Sequence, residues 1–218
     1  MTGIAKSKLF GVLAAAAVIC GAMSHAQATP LDKLIGKNLA VGNLIFSNIA
    51  APSFVGAGPG AIDVQGIIVI DPVTGKQQTG LRFVAPFSQS AKAGPHEIVL
   101  NVQYSVTDTT GQLNTIAQSI NASAVGQAAV YFFTQAIPAT DPFGFAFAAG
   151  PTLTVLDICI PAGPVFNSSC ASAPVSAPLF AGTTTFDVEN QVQLLISNRK
   201  GVTAGTTTLQ QFEVLFSD

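Results

Sequence analysis

From residue 97 to 107 the chain alternates without a break: Ile98, Leu100, Val102, Tyr104 and Val106 take every second place, and Glu97, Val99, Asn101, Gln103 and Ser105 stand between them. A period of two sends one row to a core and the other toward solvent, which describes a half-buried antiparallel strand and excludes a helix there. β-Branched or aromatic runs at 39–46, 62–70, 79–84, 113–124, 127–137, 152–160, 183–197 and 206–216 repeat the theme between Gly, Pro and Asn punctuation. Asp71-Pro72-Val73-Thr74-Gly75 has the chemistry of a turn and predicts a hairpin between 62–70 and 79–84. The same reasoning predicts that 113–124 and 127–137 pair as a meander, the first at a sheet edge. It also makes Asn198-Arg199-Lys200-Gly201 a hairpin connection between the last two strands, and 161–178 the longest loop. A short helical turn is expected at Leu31, Leu34 and Ile35, ended by Gly36. The fold class this implies is all-β: an antiparallel β-sandwich of jelly-roll or immunoglobulin-like kind.

The N-terminus reads as an export signal. Lys6 and Lys8 precede an apolar stretch from Leu9 to Met23, and Ala26-Gln27-Ala28 offers a small-x-small cleavage site, so 1–28 is expected to be removed and 29–218 to form one domain. The stretch is short for a bilayer span, and no stable membrane span is expected after cleavage. Cys20 lies inside it, but Ile19 before it is too large for lipoprotein processing.

Composition narrows the function classes. Charged residues make up 9% of the chain and hydrophobic ones 49%, which excludes a disordered polyampholyte. Nine Lys and Arg face eleven Asp and Glu with no basic cluster beyond Arg199-Lys200, so no nucleic-acid partner is expected, nor a cationic membrane-surface helix. Cys159 and Cys170 are separated by ten residues that include Pro161, Gly163 and Pro164. In an exported chain this pair predicts a disulfide, read as a local staple worth about 2–3 kcal/mol, and the lack of nearby Cys or His argues against a metal site.

No catalytic constellation is complete. His96 is the single histidine after the signal, and no Gly-x-Ser-x-Gly elbow accompanies it; a turn residue is the plain reading. Asp187 and Glu189 share one face of a predicted strand, as a glycosidase pair would, but such spacing is common by chance and the chain has no Trp and only Tyr104 and Tyr131 to offer a polysaccharide, so a solvated strand face is the plain reading. Asp71, Asp108 and Asp141 are candidate calcium ligands without an Asp-x-Asp-x-Asp pattern, and each also reads as a turn residue. Phe143, Phe145 and Phe147 would line one face of an extended segment, for a core or an adhesive patch. No catalytic, cofactor-binding or metal residues are therefore assigned, and no cofactor is expected.

Three stretches carry a resemblance: Gly42-Asn43-Leu44-Ile45-Phe46-Ser47-Asn48; Gly80-Leu81-Arg82-Phe83 followed by Val102-Gln103-Tyr104-Ser105-Val106-Thr107; and the ending through Phe212 and Phe216-Ser217. In order and spacing they resemble the exported bacterial proteins that carry a PEP-CTERM sorting tail. The sequence departs from that pattern by ending at Asp218 without the Pro-Glu-Pro signature, apolar helix and basic cluster. The resemblance implies a surface or matrix role and transfers no catalytic residue.

The expectation is thus a secreted, non-enzymatic structural or adhesive protein of the cell surface, periplasm or extracellular matrix. Its alternative is a carbohydrate- or small-ligand-binding sandwich using a sheet face or loops. Expected partners are a matrix polysaccharide or further copies of the chain, the latter through edge pairing of low-charge, Gln- and Thr-rich strands.

Overall fold

A computed structural model describes residues 27–56, 58–71, 74–90, 96–126, 128–139, 153–159, 167–171, 175–179, 182–196 and 205–218, with the backbone alone for 96, 153–159 and 167–171. The expected signal and the Phe143 to Phe147 segment lie outside these residues, apart from Gln27 and Ala28, as does Asp141.

Strand β1 (Thr29–Pro30) leads into the helical turn α1 (Leu31–Leu34), which buries Leu31 and Leu34. The expected stop is present, with Gly36 at φ 71°. Then follow β2 (Leu39–Val41), β3 (Leu44–Val55), β4 (Asp63–Ile70), β5 (Gln77–Ser90), β6 (His96–Asp108), β7 (Thr115–Val125) and β8 (Ala128–Pro138). The remainder are β9 (Leu153–Cys159), β10 (Asn167–Ala171), β11 (Val175–Pro178), β12 (Thr185–Ile196) and β13 (Thr206–Ser217). A seven-stranded sheet runs β1-β4-β5-β13-β7-β10, with β11 also on β7, and a six-stranded sheet runs β2-β3-β6-β12-β8-β9. Every pairing is antiparallel. The architecture is the β-sandwich that the alternation requires. Among the described residues no helix is long and apolar enough to cross a membrane.

The core is filled from both sheets. Phe46, Phe132 and Phe186 from the six-stranded sheet meet Phe83, Phe212 and Phe216 from the other, all shielded from solvent. Phe46 approaches Phe216 across the layer at 6.3 Å between ring centroids, and Phe132 approaches Phe212 at 5.1 Å. Alternation in β6 resolves as expected, with Ile98, Leu100, Val102, Tyr104 and Val106 buried.

The β4–β5 hairpin forms as the turn chemistry predicts, with Ile70 opposite Gln77 and Gly75 N–H donating to the Asp71 carbonyl at 2.8 Å. Several other expectations are corrected. The run 39–46 is two strands, because Gly42 at φ 58° and Asn43 turn the chain so that Val41 pairs with Leu44. Strands β7 and β8 do not pair; they sit in opposite sheets, as do β12 and β13. Each of these strands buries one row in the core, and facing another sheet buries that row as well as a meander would. Nor is β7 an edge: β13 lies on one side and β10 and β11 on the other. Its outer polar row is held across strands instead, with Ser119 Oγ donating to Glu213 Oε2 at 3.4 Å and Asn121 Nδ2 to Gln210 Oε1 at 3.0 Å. The stretch 161–178 includes β10 and β11 rather than running as one loop.

One buried polar residue has a consequence for pH. Tyr104 lies in the core at 2% exposure, and burial pushes its phenol well above the usual range, an effect that the Asn190 side chain beside it offsets in part. Because the folded value is raised, the contribution to stability is full below the unfolded value, about 10, and is lost as pH rises past it. Denaturant midpoints measured on either side of that pH should therefore fall less steeply for Tyr104→Phe than for the parent chain, and equal slopes would refute this.

Candidate functional site

Strand β12 is central in its sheet, between β6 and β8. Its even positions from Phe186 to Ile196 are buried, so Asp187, Glu189, Gln191 and Gln193 form the outward row. Register then fixes their neighbours. Asp187 stands opposite Ser105 and Ile137, Glu189 opposite Gln103 and Gln135, Gln191 opposite Asn101 and Phe133, and Gln193 opposite Val99 and Tyr131.

At the β3 end of this face the register between β3 and β6 shifts between Ser47 and Ala50. Asn48 sits there at φ 54°, a left-handed conformation that Asn tolerates better than most residues. The bulge re-aims its side chain, whose Nδ2 donates to Ser105 Oγ at 3.1 Å, and Ser105 Oγ donates in turn to Asp187 Oδ1 at 2.6 Å. Asn101 Nδ2 donates to Glu189 Oε1 at 2.5 Å. Each carboxylate is thus held by a neutral donor through one oxygen. Among the described residues the second oxygen of each has no protein hydrogen bond.

Asn48, Gln103, Ser105, Gln135, Asp187 and Glu189 line a depression of about 260 Å³. A second, of about 280 Å³, is lined by Tyr131, Phe133, Gln191 and Gln193. Both lie on the outward rows of β8 and β12, so they follow one another along the same pair of strands. From Asp187 to Gln193 this furrow extends on the order of 20 Å. Its lining has amide donors and acceptors, carboxylate acceptors and two aromatic rings and, among the described residues, neither Lys nor Arg. Such a set can hydrogen-bond a neutral, hydroxyl-rich molecule and stack its apolar faces.

The candidates read from the sequence separate in the fold. Asp187 and Glu189 share a face, as expected, and belong to the furrow. Tyr104 and Tyr131 divide: Tyr104 faces the core and Tyr131 is half-buried on the outer face. His96 opens β6 opposite Ile196, at the other end of that strand from Ser105. Asp108 and Asp71 serve turns. Asp108 Oδ1 accepts from Asn43 Nδ2 at 3.0 Å and from Thr110 N–H at 2.8 Å, and Asp71 Oδ2 accepts from Thr74 Oγ1 at 2.7 Å. Among the described residues no group of three or more His, Cys, Asp or Glu could hold a metal. Cys159 and Cys170 lie in strands of different sheets, opposite Val130 in one and Ala122 in the other. Sequence reasoning misses Asn48, Gln103 and Gln135. The alternating Gln191 and Gln193 are the available signal, but they do not identify the strands that flank them.

No protein-family model matches the chain, and no curated protein matches it. Among solved structures it is similar to TmCBM61 in complex with beta-1,4-galactotriose, at 9% identity and a TM-score of 0.30, covering 79% of this chain and 88% of that one.

Proposed function

We propose that this chain is an exported, non-enzymatic protein of the cell surface or extracellular matrix that adheres by binding a neutral polysaccharide along the β8–β12 furrow. The observation that supports it is the lining itself: polar groups of both hydrogen-bonding senses flank two aromatic rings, with no cation among the described residues to favour an anionic ligand. Asn48, Ser105 and Asn101 hold the two carboxylates in place, so part of the ordering that binding demands is already done. The export signal and the resemblance to exported matrix proteins support a destination in which polysaccharide is found.

Titration calorimetry with neutral and anionic glycans tests this reading. Saturable binding confined to neutral chains is expected, and Asp187→Asn and Glu189→Gln should each weaken it by about tenfold or more, the cost of losing a hydrogen bond to a charged group. Glycan length should be unchanged after prolonged incubation. Absence of saturable binding to any neutral glycan overturns the proposal, and shortening of the glycan overturns its non-enzymatic part.

A further inference from the structure

We infer that Cys159 and Cys170 form a disulfide that ties the two sheets together at one edge of the sandwich. Cys159 ends β9, one of the two edge strands of the six-stranded sheet, and is in register with Val130, which is fully buried. Cys170 lies in β10, at an edge of the seven-stranded sheet, in register with Ala122, also buried. Directly opposed residues of an antiparallel pair belong to the same face of their sheet. Both cysteine positions therefore lie in the inner rows of sheets that face each other.

The two strands also occupy the same side of the sandwich, because β9 meets β10, β11 and β7, and residues of β9 and β10 come within 8 Å between Cα atoms. Facing sheets ordinarily stand about 10 Å apart, and a disulfide spans about 4.4–6.8 Å between Cα atoms, so an edge that has drawn closer is where a bridge can form. The bridge would secure what backbone pairing holds least: β10 and β11 are short and have β7 as their sheet partner.

The chemistry is dithiol–disulfide exchange. Two cysteine thiols lose two electrons and two protons to a disulfide of the export compartment, which leaves as two thiols while one sulfur–sulfur bond forms in the chain.

The test uses the full chain recovered through an oxidising export route. Peptide mapping without reductant should yield one linked pair containing Cys159 and Cys170, and an intact mass two hydrogens below the reduced form. Reducing the folded protein should lower Tm by roughly 5–10 °C. Hydrogen exchange should then rise in both β9 and β10 while β2 and β4, at the opposite side, stay protected. Free thiols at both positions, a link to Cys20 or to a second chain, or faster exchange in only one of the two strands would overturn the inference. Should Cys159→Ser/Cys170→Ser fail to fold, reduction of the folded parent chain still decides.

Discussion

Replacing Phe212 with alanine is expected to lower the free energy of unfolding by about 3–5 kcal/mol, the range for truncating a large aromatic in a close-packed core. The ring is 1% exposed and meets aromatic partners in both layers. Within its own sheet it stacks on Phe83 at 4.6 Å between centroids and 9° between planes, and across the layer it meets Phe132 at 5.1 Å and 58°. Truncation removes the within-sheet stack and the between-sheet contact together. Collapse into the void is resisted because β13 is hydrogen-bonded on both sides, to β5 and to β7. Urea unfolding followed by circular dichroism measures the loss. A value under about 1.5 kcal/mol would mean that this ring does not join the sheets as described.

Alanine at Gly80 should do comparable damage, although it adds one methyl group. A Cβ built there would lie 2.0 Å from the Val214 carbonyl oxygen and 2.8 Å from Leu215 Cα. Both are backbone atoms of β13, a strand held on both sides, so relief requires β5 and β13 to separate where Gly80 pairs with Leu215. Ordinarily Gly to Ala stabilises a compatible site through the unfolded chain, by about 0.4–1 kcal/mol. Here a loss of at least about 3 kcal/mol, or failure to recover soluble folded protein, is expected. Gly66 supplies the contrast. Its added Cβ would meet Val41 Cγ2, with Cγ1 at 3.1 Å and Cβ at 3.3 Å behind it, a buried side chain on an edge strand of the other sheet, so relief asks β2 to shift outward rather than two hydrogen-bonded strands to part. Gly66→Ala should therefore cost clearly less than Gly80→Ala in the same assay, and equal losses would refute the distinction between backbone and side-chain obstruction.

The furrow shows how much of a candidate site is legible in a sequence. Asp187 and Glu189 are visible as a same-face pair because the period of two is local to β12. Their partners are not: Ser105 and Asn101 lie more than eighty positions away in sequence, and Asn48 reaches Ser105 only because the chain bulges at a left-handed residue. Tyr131 and Phe133 can be placed opposite Phe132 by alternation alone. That they continue the carboxylate face follows only from the register of β8 on β12.

The longer strands, and the row of each that the core takes, are legible along the chain, since both follow from backbone pleating and burial within a few residues; the break between β2 and β3 and the short β10 and β11 are not. The β4–β5 hairpin is legible for the same reason, as Asp71 and Gly75 close that turn through their own backbone bond. Which sheet each strand joins is set by long-range packing. β7 and β8, or β12 and β13, bury their apolar rows equally well side by side or face to face, and no local feature distinguishes the two. That assignment put Cys159 and Cys170 on facing sheets and gathered the polar rows of β6, β8 and β12 into one furrow, because register across strands, not spacing along the chain, sets which side chains meet.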